Sequence, residues 1–519
     1  MSINSIRTLI EDAALTDPEK KAIIFNEESI SYKELLKKVD QVAYYLNELD
    51  LPRESRIGVY SNKKIEQVVA ILAILSTPYI LVPLTKLLKP EQIEYIIDDC
   101  DIKCIITDKV KLENIEEIKF DGHIISYETA SNDIASFEEI FKYYNKPYIC
   151  DVNGHHNAVI TYSFGLSGTP KGIVISHRNL IDSARVVSQY LSLKEDDVIS
   201  GILIFNLDYG LNQIFITLYK RATLALHRFI LPEDFFNHLI NDKVTVLALM
   251  PFNITQIFDI DRIPNPELFD KVRIITSSGG NVNVKMIKEC KKTFKKADFF
   301  SMHGLTEAFR STYLDPSQIE IRPESIGKAI PDVELFVINE EGKECKVREV
   351  GELIHRGGYI YRGFWRAHEQ NAKRFKSIQI LKNVINLEGQ LRDEVVVASG
   401  DYVYKDEEGY LYFVSRDDDM IKTRGFRVSP FEIESVVKRS LPQIKECAVF
   451  SIKNEEIEEE IIMVYSSLSE IAPKEIIFEL KKYLASYMIP SRIIYKKSLP
   501  LVQSDKNKIN KDALKREFV

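Results

Sequence analysis

The chain has 519 residues, 45% of them hydrophobic and 28% charged, with a formal net charge of −8. That balance excludes a disordered or fibrous protein, and the acidic charge excludes nucleic acid as the main partner, because phosphate binding on that scale needs a basic face. At about 150 residues per domain the length predicts two to four structural units.

The N-terminal stretch MSINSIRTLIEDAAL reads as an amphipathic helix start soon followed by acids, unlike a signal peptide. The longest apolar run, Val68 to Leu84, is broken by Pro78 and Pro83, so it predicts a buried helix and then a buried strand, with no membrane span. Cys100, Cys104, Cys150, Cys290, Cys345 and Cys447 are scattered, and no histidine stands at ligand spacing from the first two. A reduced, cytoplasmic setting without a zinc site is the expectation.

Short β-branched runs alternate with helical patterns, as in sheets covered by helices. Strands are predicted at RIGVYS, CIITD, NAVITYS, TVLALM and VRIITSSGG, and a helix at KKIEQVVAILAIL. From about Ser325 the strands shorten and the turns close up, in VELFVIN, GELIHRG and DYVYKDEEGYLYFVS, which predicts a small antiparallel subdomain. The stretch SRDDDMIKTRG marks a boundary, after which ECAVFSI and EIIMVYSSL read as strands and EIIFELKKYLASYMI as a helix. Between those two strands, NEEIEEE reads as a solvated turn.

The stretch TYSFGLSGTPKG, Thr161 to Gly172, leaves an apolar strand and carries Gly165, Gly168, Gly172, three hydroxyls (Ser163, Ser167, Thr169) and Lys171. Glycines expose backbone N–H groups that can line an anion site. Pro170 before the lysine and Gly172 after it exclude a Walker A loop. A plain strand-to-strand hairpin stays open.

This spacing resembles the phosphate loop of the adenylate-forming superfamily: acyl-CoA synthetases, adenylation domains of peptide synthetases and firefly-type luciferases. Phe164 and Leu166 stand where that family usually has hydroxyls. SMHGLTEAF resembles its Y-G-x-T-E motif, with His303 at the aromatic position and Gly304 beside it. The resemblance makes Thr306 a contact to the α-phosphate and Glu307 a ligand of ATP-bound Mg²⁺, a role a hard carboxylate suits. Thr-Glu can also simply start a helix. SSGGN, with Gly279 and Gly280, looks like the adenine wall.

ASGDYV and GYLYFVSRDDDMIKTRGFRVSPFEIE resemble the next two motifs. By that likeness Asp401 accepts both ribose hydroxyls, Arg416 supports the ribose, Asp418 is the hinge, and Gly425 lets a pantetheine arm pass. LPLVQSDKNKINKDALK resembles the last motif, with Lys508 on the catalytic lysine and Asn507 replacing a glycine. Lys506 competes for the role. GFWRAHEQNAKRF is a further likeness, its Trp365 read as structural.

The resemblance implies an α/β fold. A large N-terminal domain of two helix-covered sheets plus a small β-barrel-like subdomain would cover residues 1–416. A small mobile α+β C-terminal domain carrying the lysine would cover 417–519. It further implies activation of a carboxylic acid by ATP as the acyl-adenylate and transfer to a thiol, of CoA or of the phosphopantetheine of a carrier protein. GILIFNLDYGLNQIF looks like the segment of amino-acid adenylation domains whose aspartate binds the substrate amine. Asp208 would do so, cap the following helix, or be neutralised by Arg310. The run HGLTEAFRSTYLDP with RPESIGKAIPDVEL also looks like stand-alone acyl-CoA ligases and ligases that load proline onto a carrier protein. A nucleotide- or adenylate-binding protein that has lost catalysis is the rival reading.

Overall fold

The computed structural model describes residues 3–518 apart from 86, 87, 89, 119, 129–133, 145, 150, 165–169, 259–262, 281, 390–392, 417–420, 429, 503 and 504, with no account of the side chains of 164, 415, 416, 427, 431, 435, 501–508 and 512. Among the described residues the strands form two large sheets, one smaller sheet and one short ribbon.

One large sheet runs, edge to edge, through Ala135–Ser136, His123–Ser126, Ile102–Thr107, Arg56–Tyr60, Ile80–Leu84, Asn157–Phe164 and Pro170–Ser176. Its pairs are parallel except the last, where Asn157–Phe164 and Pro170–Ser176 run antiparallel, with Ser163 opposite Lys171 and Phe164 opposite Pro170. The parallel strands are nearly all buried, as both-face coverage requires. The apolar run from Val68 becomes the helix Ile65–Ile74 and the strand Ile80–Leu84, as its prolines predicted.

The second large sheet has a parallel centre, Val198–Gly201, Val246–Leu249, Ile274–Ser277 and Asp298–His303. It continues without a break through the antiparallel strands Thr312–Leu314, Ser325–Ala329 and Leu411–Arg416 to Val395–Lys405, Gly351–Gly357 and Val333–Ile338. The small antiparallel subdomain is thus joined to the central sheet by hydrogen-bonded strands. Between the two large sheets lie the helices His177–Tyr190 and Asp208–Lys220, in one apolar core that takes residues from both. The first helix starts with a capping box, in which the Ser176 hydroxyl and the Asn179 side chain satisfy each other's backbone N–H groups.

Residues from 421 onward build a separate sheet of Ile421–Thr423, Phe426–Val428, Ile444–Asn454, Glu458–Ser467 and Arg492–Tyr495. Alternation divides its long strands between two cores. Val449, Ile461 and Met463 pack with the helices Pro430–Ser440 and Pro473–Leu480, while Ala448, Phe450, Ile462 and Val464 face Leu499, Ile509 and Leu514. The helix expected over EIIFELKKYLASYMI stops at Leu480, and Tyr487 and Met488 are buried from a 3₁₀ turn instead.

Candidate active site

A cavity of about 210 Å³ opens where the two large sheets meet the C-terminal unit. Ser163 reaches it from the hairpin strand, Gly279 and Gly280 from the end of Ile274–Ser277, and His303, Gly304 and Thr306 from the turn after Asp298–His303. Asp208 comes from the first turn of the helix Asp208–Lys220, and Gly425 from the C-terminal unit. Eight residues singled out in the sequence, more than two hundred and fifty positions apart at the extremes, therefore share one wall system.

The strands on either side of the glycine-rich stretch, Asn157–Phe164 and Pro170–Ser176, pair antiparallel up to Phe164 opposite Pro170. Gly165, Ser167, Gly168 and Thr169 lie outside the described residues. Lys171 donates to Gln370 Oε1 at 3.3 Å. Gly279 adopts φ +86°, a conformation in which a side chain would be strained.

Thr306 and Glu307 lie in a turn between strands, so the helix-start alternative fails. Glu307 is buried beside Arg374, with Nε and Oε1 3.6 Å apart. Arg374 in turn lies against Gly400, where a Cβ would sit 1.8 Å from its Nη1. The glycine of the S-G-D stretch is thereby explained by the space a buried guanidinium needs. Sequence reasoning missed Arg374; its only signal was a cation inside a segment read as structural.

Behind the wall, the buried Asp401 carboxylate meets His303, Oδ2 to Nε2, at 2.9 Å. Asp401 is also the register partner of Arg416, whose side chain is outside the described residues.

Asp208 is the first helical residue, with Leu207 at the N-cap, and its Oδ1 accepts from the Tyr209 N–H at 2.6 Å. It therefore both serves the first helical turn and faces the cavity. The Tyr361 hydroxyl hydrogen-bonds to it, and burial with this carboxylate beside it holds that phenol well above its ordinary range. Arg310 also lines the cavity but forms no ion pair with Asp208 among the described residues.

From the C-terminal unit come Lys422, Gly425, Phe426 and Tyr487, the two rings stacked with centroids 4.0 Å apart. Gly425 has φ +76°, and a Cβ there would lie 2.2 Å from Met250 Cε. The strand Asp505–Ile509, which carries Lys506 and Lys508, pairs with Leu501–Val502, and its Ile509 belongs to the core on the other face of the sheet. The side chains of both lysines, and all of Asp418, lie outside the described residues. So the structure brings the Gly425 face of the C-terminal unit to the cavity, while Ile509 of the lysine strand packs in the core on the other face of the sheet.

The unit is seated by specific contacts. Gln92 donates to the half-buried Glu432 at 2.9 Å, Arg439 pairs with Glu91, Thr255 donates to the Glu456 carbonyl at 2.7 Å and Asn283 to the Glu455 carbonyl at 2.7 Å. The turn NEEIEEE is therefore not merely solvated. Its Glu458 carboxylate lies where a Cβ on Gly280 would be, about 2.0 Å away. A local reading of charge could not foresee this, because the partner glycine is almost two hundred residues distant.

Among the described residues no helix is long and apolar enough to cross a membrane, and no group of three or more His, Cys, Asp or Glu could hold a metal ion. Glu307 offers one hard carboxylate, which fits Mg²⁺ because that ion takes its remaining ligands from phosphate and water.

Comparison with known proteins agrees with this layout. The chain is 25% identical over 97% of its length to tyrocidine synthase 1 of Brevibacillus parabrevis, and spans 44% of that protein. Its fold is similar to that of o-succinylbenzoate CoA synthetase from Bacillus subtilis, with a TM-score of 0.81, 21% identity and coverage of 98% of this chain and 97% of that one. It is also similar to the amide bond synthetase of Marinactinospora thermotolerans, with a TM-score of 0.86, 17% identity and 99% of both chains covered. Residues 10–365 match the family described as AMP-binding enzyme, and 432–506 match its C-terminal domain. This chain belongs to the AMP-binding enzymes, the adenylate-forming superfamily that its motifs resemble.

Proposed function

We propose that the protein is an ATP-dependent, AMP-forming ligase that activates a small carboxylic or amino acid and passes it to a thiol, of CoA or of a carrier protein's phosphopantetheine. The observation that carries this reading is the convergence of Ser163, Gly280, Thr306, Asp208 and Gly425 on one cavity. In the first step an oxygen of the acid attacks the α-phosphorus of ATP, the bond to the β-phosphate oxygen breaks, and pyrophosphate leaves. No general base is needed, since the nucleophile is already an anion. What the step needs is charge neutralisation and in-line placement.

Thr306 and Ser163, with the loop of Gly165, Ser167, Gly168, Thr169 and Lys171, would hold the phosphates. Gly279, Gly280 and His303 would hold the adenine, and Asp401 with Arg416 the ribose. Glu307 would hold Mg²⁺, which when bound neutralises phosphate charge. Lys508 would reach the reacting centre in a second arrangement of the C-terminal unit, residues 417–519, turned about Asp418. The seated arrangement, with Gly425 at the cavity, suits the second step, in which the thiol attacks the acyl carbon and AMP departs with the electron pair. Among the described residues three buried cysteines, Cys100, Cys104 and Cys290, and two half-buried ones, Cys345 and Cys447, all free, fit a reduced, cytoplasmic setting.

The test is ATP–pyrophosphate exchange with wild type and Lys508→Ala against amino, aliphatic and aryl acids. Exchange with one acid, lost in the variant, supports the reading. ATP binding without exchange for any acid replaces it with a binding protein that has lost catalysis.

A further inference from the structure

The cavity contains a charge that the reaction described above does not use. Arg310 is 3% exposed and lines the cavity wall. Its guanidinium lies 4.7 Å from the ring centroids of both Tyr209 and Phe309. Nη1 donates to the Phe309 carbonyl at 3.2 Å, and the Tyr190 hydroxyl lies beside the guanidinium. Nε has no hydrogen-bond partner, and no carboxylate among the described residues pairs with this side chain.

A guanidinium cannot shed its charge by losing a proton. Buried, it costs far more than two aromatic faces and neutral hydrogen bonds return. Asp208 lines the same cavity without forming an ion pair with it, so a ligand anion is the available partner.

The position of Arg310 says which part of the ligand. It borders a second, smaller void on the inner side, walled by Tyr190, Asn212 and Thr276, which the phosphate-loop strand does not reach. Ser163 and Gly425 border only the main cavity. The guanidinium thus stands at the inner end, on the side away from the phosphate loop, where the tail of an acid would lie once its reacting carboxylate faced the α-phosphate. The void beyond Arg310 is only about 10 Å³, so a tail that reaches the guanidinium ends there and is short.

We propose that the acid activated here is short and carries a second carboxylate on its tail, held by Arg310; this rests on the adenylation reading above. An ammonium on the same acid would meet Asp208, so glutarate and glutamate are both members of the class. Arg310 would then be the specificity determinant, through a pairing of guanidinium and carboxylate that the monocarboxylic analogue cannot make.

The experiment is ATP–pyrophosphate exchange by the full chain with pairs of equal length, glutarate against valerate and glutamate against norvaline, in wild type, Arg310→Leu and Arg310→Lys. For one of the pairs, wild type should favour the dicarboxylic member at least thirtyfold in kcat/KM. Arg310→Leu should reverse that order with the KM for ATP unchanged, and Arg310→Lys should keep part of it. Exchange with the monocarboxylic members at equal or better efficiency overturns the inference and leaves the adenylation reading intact. An equal loss for both members in Arg310→Leu, with ATP binding retained, also overturns it and makes Arg310 a structural or reacting-carboxylate contact. Exchange with no acid in wild type, these four and the wider panel alike, overturns both.

Discussion

The His303 imidazole and the Asp401 carboxylate lie 2.9 Å apart, one at the cavity wall and the other fully buried behind it. The pair ties the turn that carries Thr306 to the strand Val395–Lys405, which gives the acid at 401 a positioning role beside the ribose contact proposed for it. Replacing it tests both roles at once. Asp401→Asn keeps the shape and removes a charged acceptor, an exchange that typically costs about 1.5–3 kcal/mol. ATP affinity measured by calorimetry should fall about tenfold to a hundredfold. His303→Phe, which keeps a ring and loses the bond to Asp401, should fall less.

Lys508 and Lys506 stand two apart on one strand, Asp505–Ile509, which pairs with Leu501–Val502. Lys508→Ala should lower ATP–pyrophosphate exchange by about a hundredfold or more, the size of effect seen when one preorganised charge is removed. Transfer from a supplied acyl-adenylate to the thiol should change little. Lys506→Ala should resemble wild type in both assays, and the reverse result would hand the role to Lys506.

Gly425 tests the second half-reaction. Its φ of +76° disfavours a side chain, and a Cβ would press on Met250. Gly425→Ala should slow thioester formation well below adenylation, measured as release of AMP with and without thiol. Destabilisation of the whole protein should stay near 1 kcal/mol, because Met250 has room to turn its flexible end away.

Burial raises the Glu432 carboxyl to about 7, with the Gln92 hydrogen bond partly opposing the rise. A folded-state value above the ordinary one means that the seated arrangement holds the protonated acid. Its contribution is complete below the ordinary carboxylate range and is lost as pH rises through about 7. The neighbouring Glu91–Arg439 pair is exposed and worth little to this balance. Limited proteolysis between the two units should therefore be faster at pH 8 than at pH 6, and Glu432→Gln should flatten the difference.

The parts legible in the sequence were those with local causes. Prolines placed the end of the helix Ile65–Ile74 and the start of the strand Ile80–Leu84, and β-branched runs placed the parallel strands. The motif glycines were legible by spacing, though the reasons for them are long-range: Gly400 makes room for Arg374, and Gly280 for Glu458. Neither neighbour could be inferred from its own surroundings. The continuity of the antiparallel strands with the central sheet was illegible for the same reason, since it rests on pairing such as Thr312 with Ala329 and Ser325 with Tyr412. Asp208 was readable only as three alternatives, and it turned out to touch the helix turn and the cavity together.

The hairpin that ends in the glycine-rich loop works as a calliper. Ser163 and Lys171 are direct cross-strand partners, so the ladder below them, and not the loop above, sets the gap between a hydroxyl and an ammonium. A one-residue slip of one strand against the other would leave the hydroxyl and the ammonium on opposite faces of the sheet, so the register, pinned as far back as Val159 with Ile175, is what keeps the two jaws facing one another.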